Sequence, residues 1–343
     1  MKNTLRLLAL VLLCSCARKS LEVAPTAAPV TEPRTLTLRT VNVSTATALK
    51  AALLDARPGD DIVLADGTYS GKFVVGTNVN GTAANPITVR GSRNAVLNAG
   101  SLTTGYALYL QSSYWVVRGI TITNGLKGIM ADGIHHCLID SVRVYNIGEE
   151  AIHLRTFSTQ NEVRAVTITN TGLNTPDYGE GVYIGSAKSN WATYTQGNPD
   201  RCDSNLVIRC HIGPGVAAEC IDIKEGTTAG AIRNNYFDAT GITGANSADS
   251  WIDVKGNNYI IEGNNGTNTA GSALKDGYQV HVASSGWGNY NEFRSNVCNV
   301  QASGYGFLIQ LSGSNGNAVG NKVYTSNQVS NAGSGVANIP LSN

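Results

Sequence analysis

Short runs of alternating apolar and polar residues, each closed by Gly or Asn, recur through most of this chain. Alternate side chains of a β-strand share a face, so such runs predict half-buried strands separated by turns. Between residues 114 and 326 the pattern is periodic. Early copies are Val117-Arg118-Gly119-Ile120-Thr121-Ile122, Ile139-Asp140-Ser141-Val142-Arg143-Val144 and Val163-Arg164-Ala165-Val166-Thr167-Ile168, and later ones begin at Ile232, Ile260 and Phe293. The first three start 22 and 24 residues apart, a spacing that predicts a solenoid. Short strands with Asn and Gly at the corners, and no Leu-xx-Leu-x-Leu spacing, favour a parallel β-helix over a leucine-rich repeat. Ala46 to Ala56 is the one good helical pattern, with Ser44 or Thr45 as N-cap. It is expected to cover the first coil, whose edge would otherwise be open to pairing. The expected fold is therefore all-β: a single-stranded right-handed parallel β-helix over residues 37–343 with an N-terminal helical cap.

A second strand series precedes those copies and carries unusual polar residues. It reads Ile152-His153-Leu154-Arg155, Val182-Tyr183-Ile184-Gly185, Ile221-Asp222-Ile223-Lys224, Ile252-Asp253-Val254-Lys255, Val280-His281-Val282 and Ile309-Gln310-Leu311-Ser312. Aligned so, one outward column holds His153, Tyr183, Asp222, Asp253, His281 and Gln310. The next holds Arg155, Gly185, Lys224, Lys255, Ala283 and Ser312. Neighbouring strands lie about 5 Å apart, so Asp222, Lys224, Asp253 and Lys255 are expected to form a charged outer grid, with Glu219 beside it. The longest insertion, about 187 to 200, carries Trp191 and Tyr194 and is expected to overhang this face.

Composition narrows the picture. Only 14% of the 343 residues are charged, so that grid is a real concentration of charge. The 38 glycines fit one turn-rich β domain. A formal charge of +1 gives no electrostatic case for a nucleic-acid partner. Lys2 and Arg6 precede the apolar run Leu7 to Leu13, a targeting segment rather than part of the fold. Leu13-Cys14-Ser15-Cys16 resembles a bacterial lipobox, which would make residues 1–16 a signal peptide and Cys16 the lipidated mature N-terminus; an ordinary cleaved signal peptide is the alternative. Residues 17–36, rich in Ala, Pro and Thr, read as a flexible tether. The membrane is then met only through a lipid anchor on an exported, monomeric protein. Cys137, Cys202, Cys210, Cys220 and Cys298 are too irregularly spaced for a disulfide framework and read as small buried apolar residues.

The stretch from Ala48-Leu49-Lys50 through Pro58-Gly59-Asp60-Asp61-Ile62-Val63-Leu64-Ala65-Asp66-Gly67-Thr68-Tyr69-Ser70-Gly71, continued by Pro86-Ile87-Thr88-Val89-Arg90-Gly91, resembles the opening of polysaccharide lyase family six, the alginate lyases and chondroitinase B. Gly179-Glu180-Gly181-Val182-Tyr183-Ile184-Gly185-Ser186 resembles that family's calcium-binding Asn-Gly-Gly-Glu-Ser-Ile-Arg-Ile-Gly motif, with Asp177 in the place of the leading Asn. Glu219-Cys220-Ile221-Asp222-Ile223-Lys224 is similar to its Glu-x4-Lys element, in which the Glu binds calcium and the Lys is the base. The likeness implies Lys224 as base and Glu219 as a calcium ligand. Lys255-Gly256 stands where the family has Arg followed by His-Gly, and Ala217 replaces a second calcium-binding Glu. Asn246-Ser247-Ala248-Asp249-Ser250-Trp251-Ile252-Asp253 resembles the calcium motif of pectate lyases, which would add Asp249 and Asp253 as ligands.

These residue types suit β-elimination on an acidic polysaccharide. Removing the proton α to a uronate carboxylate needs a base and a positive charge at the carboxylate. Calcium on Asp and Glu oxygens supplies the second. Lys224 supplies the first if Lys255 and Arg155 lower its pKa, whereas Asp222 and Asp253 favour the charged form unless calcium occupies them. His153, Tyr183, Asp222, His281 and Trp191 are candidate substrate contacts, Tyr183 either as leaving-group acid or as a stacking surface. Other readings of the same face are a pectate-lyase-like enzyme, a glycoside hydrolase using Asp222 and Asp253, a surface glycan-binding module, and a salt-bridge ladder with no chemistry.

Overall fold

The computed structural model describes residues 38–343 apart from 270 and 271. The signal peptide, lipobox and tether readings concern residues outside that range. Three long parallel sheets wind through the described residues, of 12, 10 and 10 strands. One coil shows the logic. Trp115–Arg118 lies in the first sheet, Thr121–Thr123 in the second and Lys127–Asp132 in the third. The chain then returns to the first sheet at Leu138–Asp140, directly beside Trp115–Arg118. The expected all-β parallel β-helix is thus the fold observed.

Each sequence repeat spans a corner. Val117 and Ile122 belong to different sheets, and the chain turns between them at Gly119 (φ 77). The same corner is left-handed in later coils at Ser141, Ala165, Arg209, Asn234, Gly263 and Ser295. Non-glycine residues meet a steric cost there of about 1–2 kcal/mol, which the coil above and below must offset.

Part of that offset follows immediately after the corner. The buried side chains of Asn235, Asn264 and Asn296 stack, with Asn327 below them. Asn264 Oδ1 accepts from the Asn235 backbone N–H at 3.0 Å and from Asn235 Nδ2 at 2.9 Å, while Asn264 Nδ2 donates to Ile232 O at 2.9 Å. Substituting Asn264 by Leu strands these groups out of water. The expected loss is roughly 2–5 kcal/mol, read as a lower denaturant midpoint.

Inside, like residues stack from coil to coil. Ile152, Val182, Ile221 and Ile252 form one column in register, and Leu154, Ile184, Ile223 and Val254 another, all fully buried. The helix Ala46–Leu54 ends two residues earlier than its pattern predicts and turns Leu49, Ala52 and Leu53 inward. Thr45 is the N-cap and accepts from the Ala48 N–H at 3.1 Å. The five cysteines are buried and free, Cys202 and Cys210 included.

Candidate active site

The third sheet carries the polar series in consecutive strands, Lys127–Asp132, Ile152–Arg155, Val182–Ile184, Ile221–Ile223, Ile252–Val254 and Tyr278–Val280. His153, Tyr183, Asp222 and Asp253 stand in one column as expected. Below Asp253 the column continues with Gln279 and Leu308, not His281 and Gln310. The true strand begins two residues earlier than Val280-His281-Val282 suggests. His281 consequently sits beside Lys255, its N–H donating to Val254 O at 3.1 Å.

The charged grid is not an exposed surface. Asp222 and Asp253 side chains are 3% and 6% exposed, and Lys224 and Lys255 each 13%. They form an alternating chain. Lys224 Nζ lies 2.5 Å from Asp222 Oδ2, and Lys255 Nζ donates to Asp222 Oδ1 at 2.7 Å. Lys255 Nζ also reaches Asp253 Oδ2 at 2.6 Å, and His281 Nδ1 donates to Asp253 Oδ1 at 2.8 Å. The chain floors a cleft of about 320 Å³ rimmed by Asn246 and Ser247.

Two further carboxylates enter from the start of each strand. Glu180, Glu219 and Asp222 each offer an oxygen, all within 4.8 Å of one another. Glu180 Oε2 is buried with no hydrogen-bond partner among the described residues. Glu180 has no place among the sequence-derived site residues, yet a signal was present. Glu150, Glu180 and Glu219 each precede the column residue (His153, Tyr183, Asp222) by three positions, so three successive coils place a Glu at one point of the cleft wall.

Burial and mutual repulsion set the charge states. Burial, then the Asp222 charge, pushes the Glu219 carboxyl up to about 8. Burial with Glu150, Asp222 and Glu219 nearby holds Glu180 well above the carboxylate range. Burial pulls the Lys224 ammonium down, but Asp222, by charge and hydrogen bond, outweighs it and holds Lys224 above its ordinary 10.5. The expectation that neighbouring cations depress Lys224 is therefore corrected for the free site. Burial and the Asp222 charge keep the Tyr183 hydroxyl protonated.

Other candidates lie elsewhere. Arg155 does not partner Lys224; it makes a two-point pair with Asp132 at 2.8 and 2.8 Å, and its guanidinium lies 3.8 Å from the Tyr194 ring. Asp132 has this role because it is the register partner of Arg155. Trp191 is not a sugar platform: it is 7% exposed, with Nε1 donating to Ser186 O at 2.9 Å. The insertion does overhang, but through Asn190 and Tyr194. Asp177 is exposed on the turn Pro176–Tyr178, outside the carboxylate cluster. Asp249 accepts from Gln279 Nε2 at 2.7 Å and is likewise outside it. His153 is buried, tilted against the Tyr183 ring at 4.4 Å, with Nε2 donating to Gly185 O at 2.9 Å.

A parallel β-helix with lysines, a protonated tyrosine and converging carboxylates on one face has the parts of a polysaccharide lyase, and the comparisons agree. The chain is 43% identical to an alginate lyase from Paenibacillus sp. str. FPU-7, with a TM-score of 0.81 over 88% of this chain and 99% of that one. It belongs to the family of that enzyme and is a polysaccharide lyase. More distant structures share the fold alone. A mannuronic acid-specific family 6 lyase from human gut microbiota is 15% identical, with a TM-score of 0.52 over 80% of this chain and 67% of that one. A rhamnogalacturonan lyase is 11% identical, with a TM-score of 0.52 over 80% of each chain. No protein-family model matches the sequence, and no curated protein does. The likeness to β-helical lyases seen in the sequence is thus borne out.

Proposed function

We propose that the protein cleaves a uronate polymer by β-elimination, alginate being the first substrate to test because the 43% identical relative is an alginate lyase. The observation that carries the assignment of roles is one contact. Lys224 Nζ lies 4.8 Å from the centre of the Tyr183 ring, on the neighbouring strand of the same face. A base and an acid are thereby brought side by side on one face. The neutral Lys224 amine takes the proton from C5, the C5–H electrons form the C4=C5 double bond, and the C4–O4 bond breaks. Tyr183 protonates the departing O4, and transfer of the Lys224 proton to the tyrosinate restores both groups.

Lysine must first be neutral, and Asp222 opposes that. The carboxylate trio fits a hard cation: Glu180, Glu219 and Asp222 would hold calcium, whose charge weakens the grip of Asp222 on the Lys224 proton and screens the substrate carboxylate. Calcium binding requires Glu219 ionised. Calorimetric titration should therefore show tighter binding above the Glu219 value of about 8 than below it, with proton release on binding at the lower pH. No binding heat at either pH would leave protons as the neutralising charge. Hydrolysis by Asp222 and Asp253 is disfavoured, because each carboxylate is held by an ammonium and neither is left as an acid.

A panel of alginate, pectate and glycosaminoglycan tests the substrate class, followed by the ultraviolet absorbance of the unsaturated product. Alginate should give the fastest rise. A rise on none of the three would sink the reading.

A further inference from the structure

The second sheet carries polar groups that the chemistry above does not use. In its strands Ala95–Asn98, Thr121–Thr123 and Arg143–Tyr145, the residues Leu97, Ile122 and Val144 belong to the core. Asn98, Thr123 and Tyr145 follow them and so turn to the outer face. They are register partners on successive strands and form one column about 10 Å from end to end.

At the Asn98 end lies a cleft of about 320 Å³, lined by Asn98, Gly100, Ser101, Leu102 and Asn124. Asn98 Oδ1 is used internally, accepting from the Gly100 N–H at 3.0 Å and from Asn124 Nδ2 at 3.3 Å. Asn98 Nδ2 and Asn124 Oδ1 have no partner among the described residues. Thr123 Oγ1, one strand along, is buried and equally without one. A free amide donor, a free amide acceptor and an unmet hydroxyl match the hydrogen-bonding groups of a sugar ring.

At the Tyr145 end stands a cation without a counter-ion. The Arg143 guanidinium lies 4.4 Å from the centre of the Tyr145 ring, a contact that holds it in place and leaves its N–H donors unused. Arg93, in the turn before Ala95, is a near neighbour: burial first, then the Arg143 charge, lowers the Arg93 guanidinium. On the first sheet, Arg90, Arg118 and Arg164 each pair with Asp61 or Asp140. Arg93 and Arg143 pair with no carboxylate among the described residues, and Asp66 is engaged by Ser92 and Asn94. Two guanidiniums that repel each other gain from a carboxylate beside them, whose two oxygens fit the guanidinium fork.

We propose that this column is a second, non-catalytic binding site for an acidic saccharide, whose hydroxyls meet Asn98 and Asn124 and whose carboxylate meets Arg143 and Arg93. It lies on the second sheet, whereas the elimination chemistry lies on the third. The ligand class is read from these side chains; only the choice of a uronate as probe rests on the lyase reading.

Titration calorimetry of the Lys224→Ala protein with a hexasaccharide of uronates counts the sites. Two binding events are expected. Arg143→Gln or Arg93→Gln, added to that protein, should weaken one event about tenfold and leave the other as it was, because each removes a charged hydrogen-bond donor. Both variants should melt near the parent temperature, since neither residue pairs with a carboxylate. Arg57→Gln, an arginine whose side chain is 70% exposed, should change neither event. A neutral hexasaccharide of glucose should not give the arginine-dependent event. A single event in the parent, two events that both arginine variants leave unchanged, or an equal event with the neutral sugar would overturn the proposal. The unsaturated chromophore formed by the wild-type protein decides the lyase reading separately, whatever the number of sites.

Discussion

Lys224→Ala should lower lyase turnover by roughly 10²–10⁴-fold, the usual contribution of a positioned acid or base. The same loss is expected from Lys224→Arg, and that variant is the more informative. Arginine keeps the ion pair with Asp222, so the fold should melt near the wild-type temperature, but its guanidinium does not give up a proton in the working range. An arginine variant as active as wild type would show that Lys224 contributes charge alone. Loss of activity together with a collapsed melting temperature in both variants would point to a structural role.

Asp222→Asn should have the largest effect on stability, because one buried carboxylate serves two ammonium groups, at 2.5 Å from Lys224 and 2.7 Å from Lys255. Removing its charge leaves both lysines buried with less compensation, a loss of roughly 3–5 kcal/mol by comparison with other broken buried pairs. The pH dependence has a definite sign. Both lysines are held above their ordinary 10.5 in the folded state, after burial, which opposes this, is outweighed by the neighbouring carboxylates. Their ion pairs therefore stabilise the fold fully below pH 10.5, and that stabilisation is lost as pH rises through the folded-state values. Asp222→Asn should flatten this alkaline loss. It should also shift the rising limb of the pH–rate profile to lower pH by about 1–3 units, because Lys224 gives up its proton more easily. A limb that stays in place would separate Asp222 from the ionisation that controls the rate.

Much of the fold was legible because the sequence repeats at the length of one coil, and stacked coils bury like residues on like. Asp222 and Asp253 are true register partners for that reason. The misplacement of His281 has an equally physical cause. Strand side chains alternate with period two, so a shift of two residues keeps every side chain on its face. Val280-His281-Val282 and Tyr278-Gln279-Val280 therefore satisfy the pattern equally, and only the pairing with Ile252–Val254 decides between them. The depth of the charged cleft was not legible either. It depends on segments such as Asn246-Ser247, whose path strand periodicity does not encode. Trp191 shows the same limit, since an aromatic residue in an insertion can turn inward and hold the loop down. The three glutamates were readable in principle, once the strands were aligned and the position three residues before each column residue was compared.

The central claim is elimination rather than hydrolysis at the junction of Lys224 and Tyr183. Parallel measurement of new reducing ends and of the unsaturated chromophore during digestion of alginate by the wild-type protein tests it most directly. Elimination predicts one chromophore for every new reducing end from the first minutes of reaction. Reducing ends that accumulate without the chromophore would contradict it.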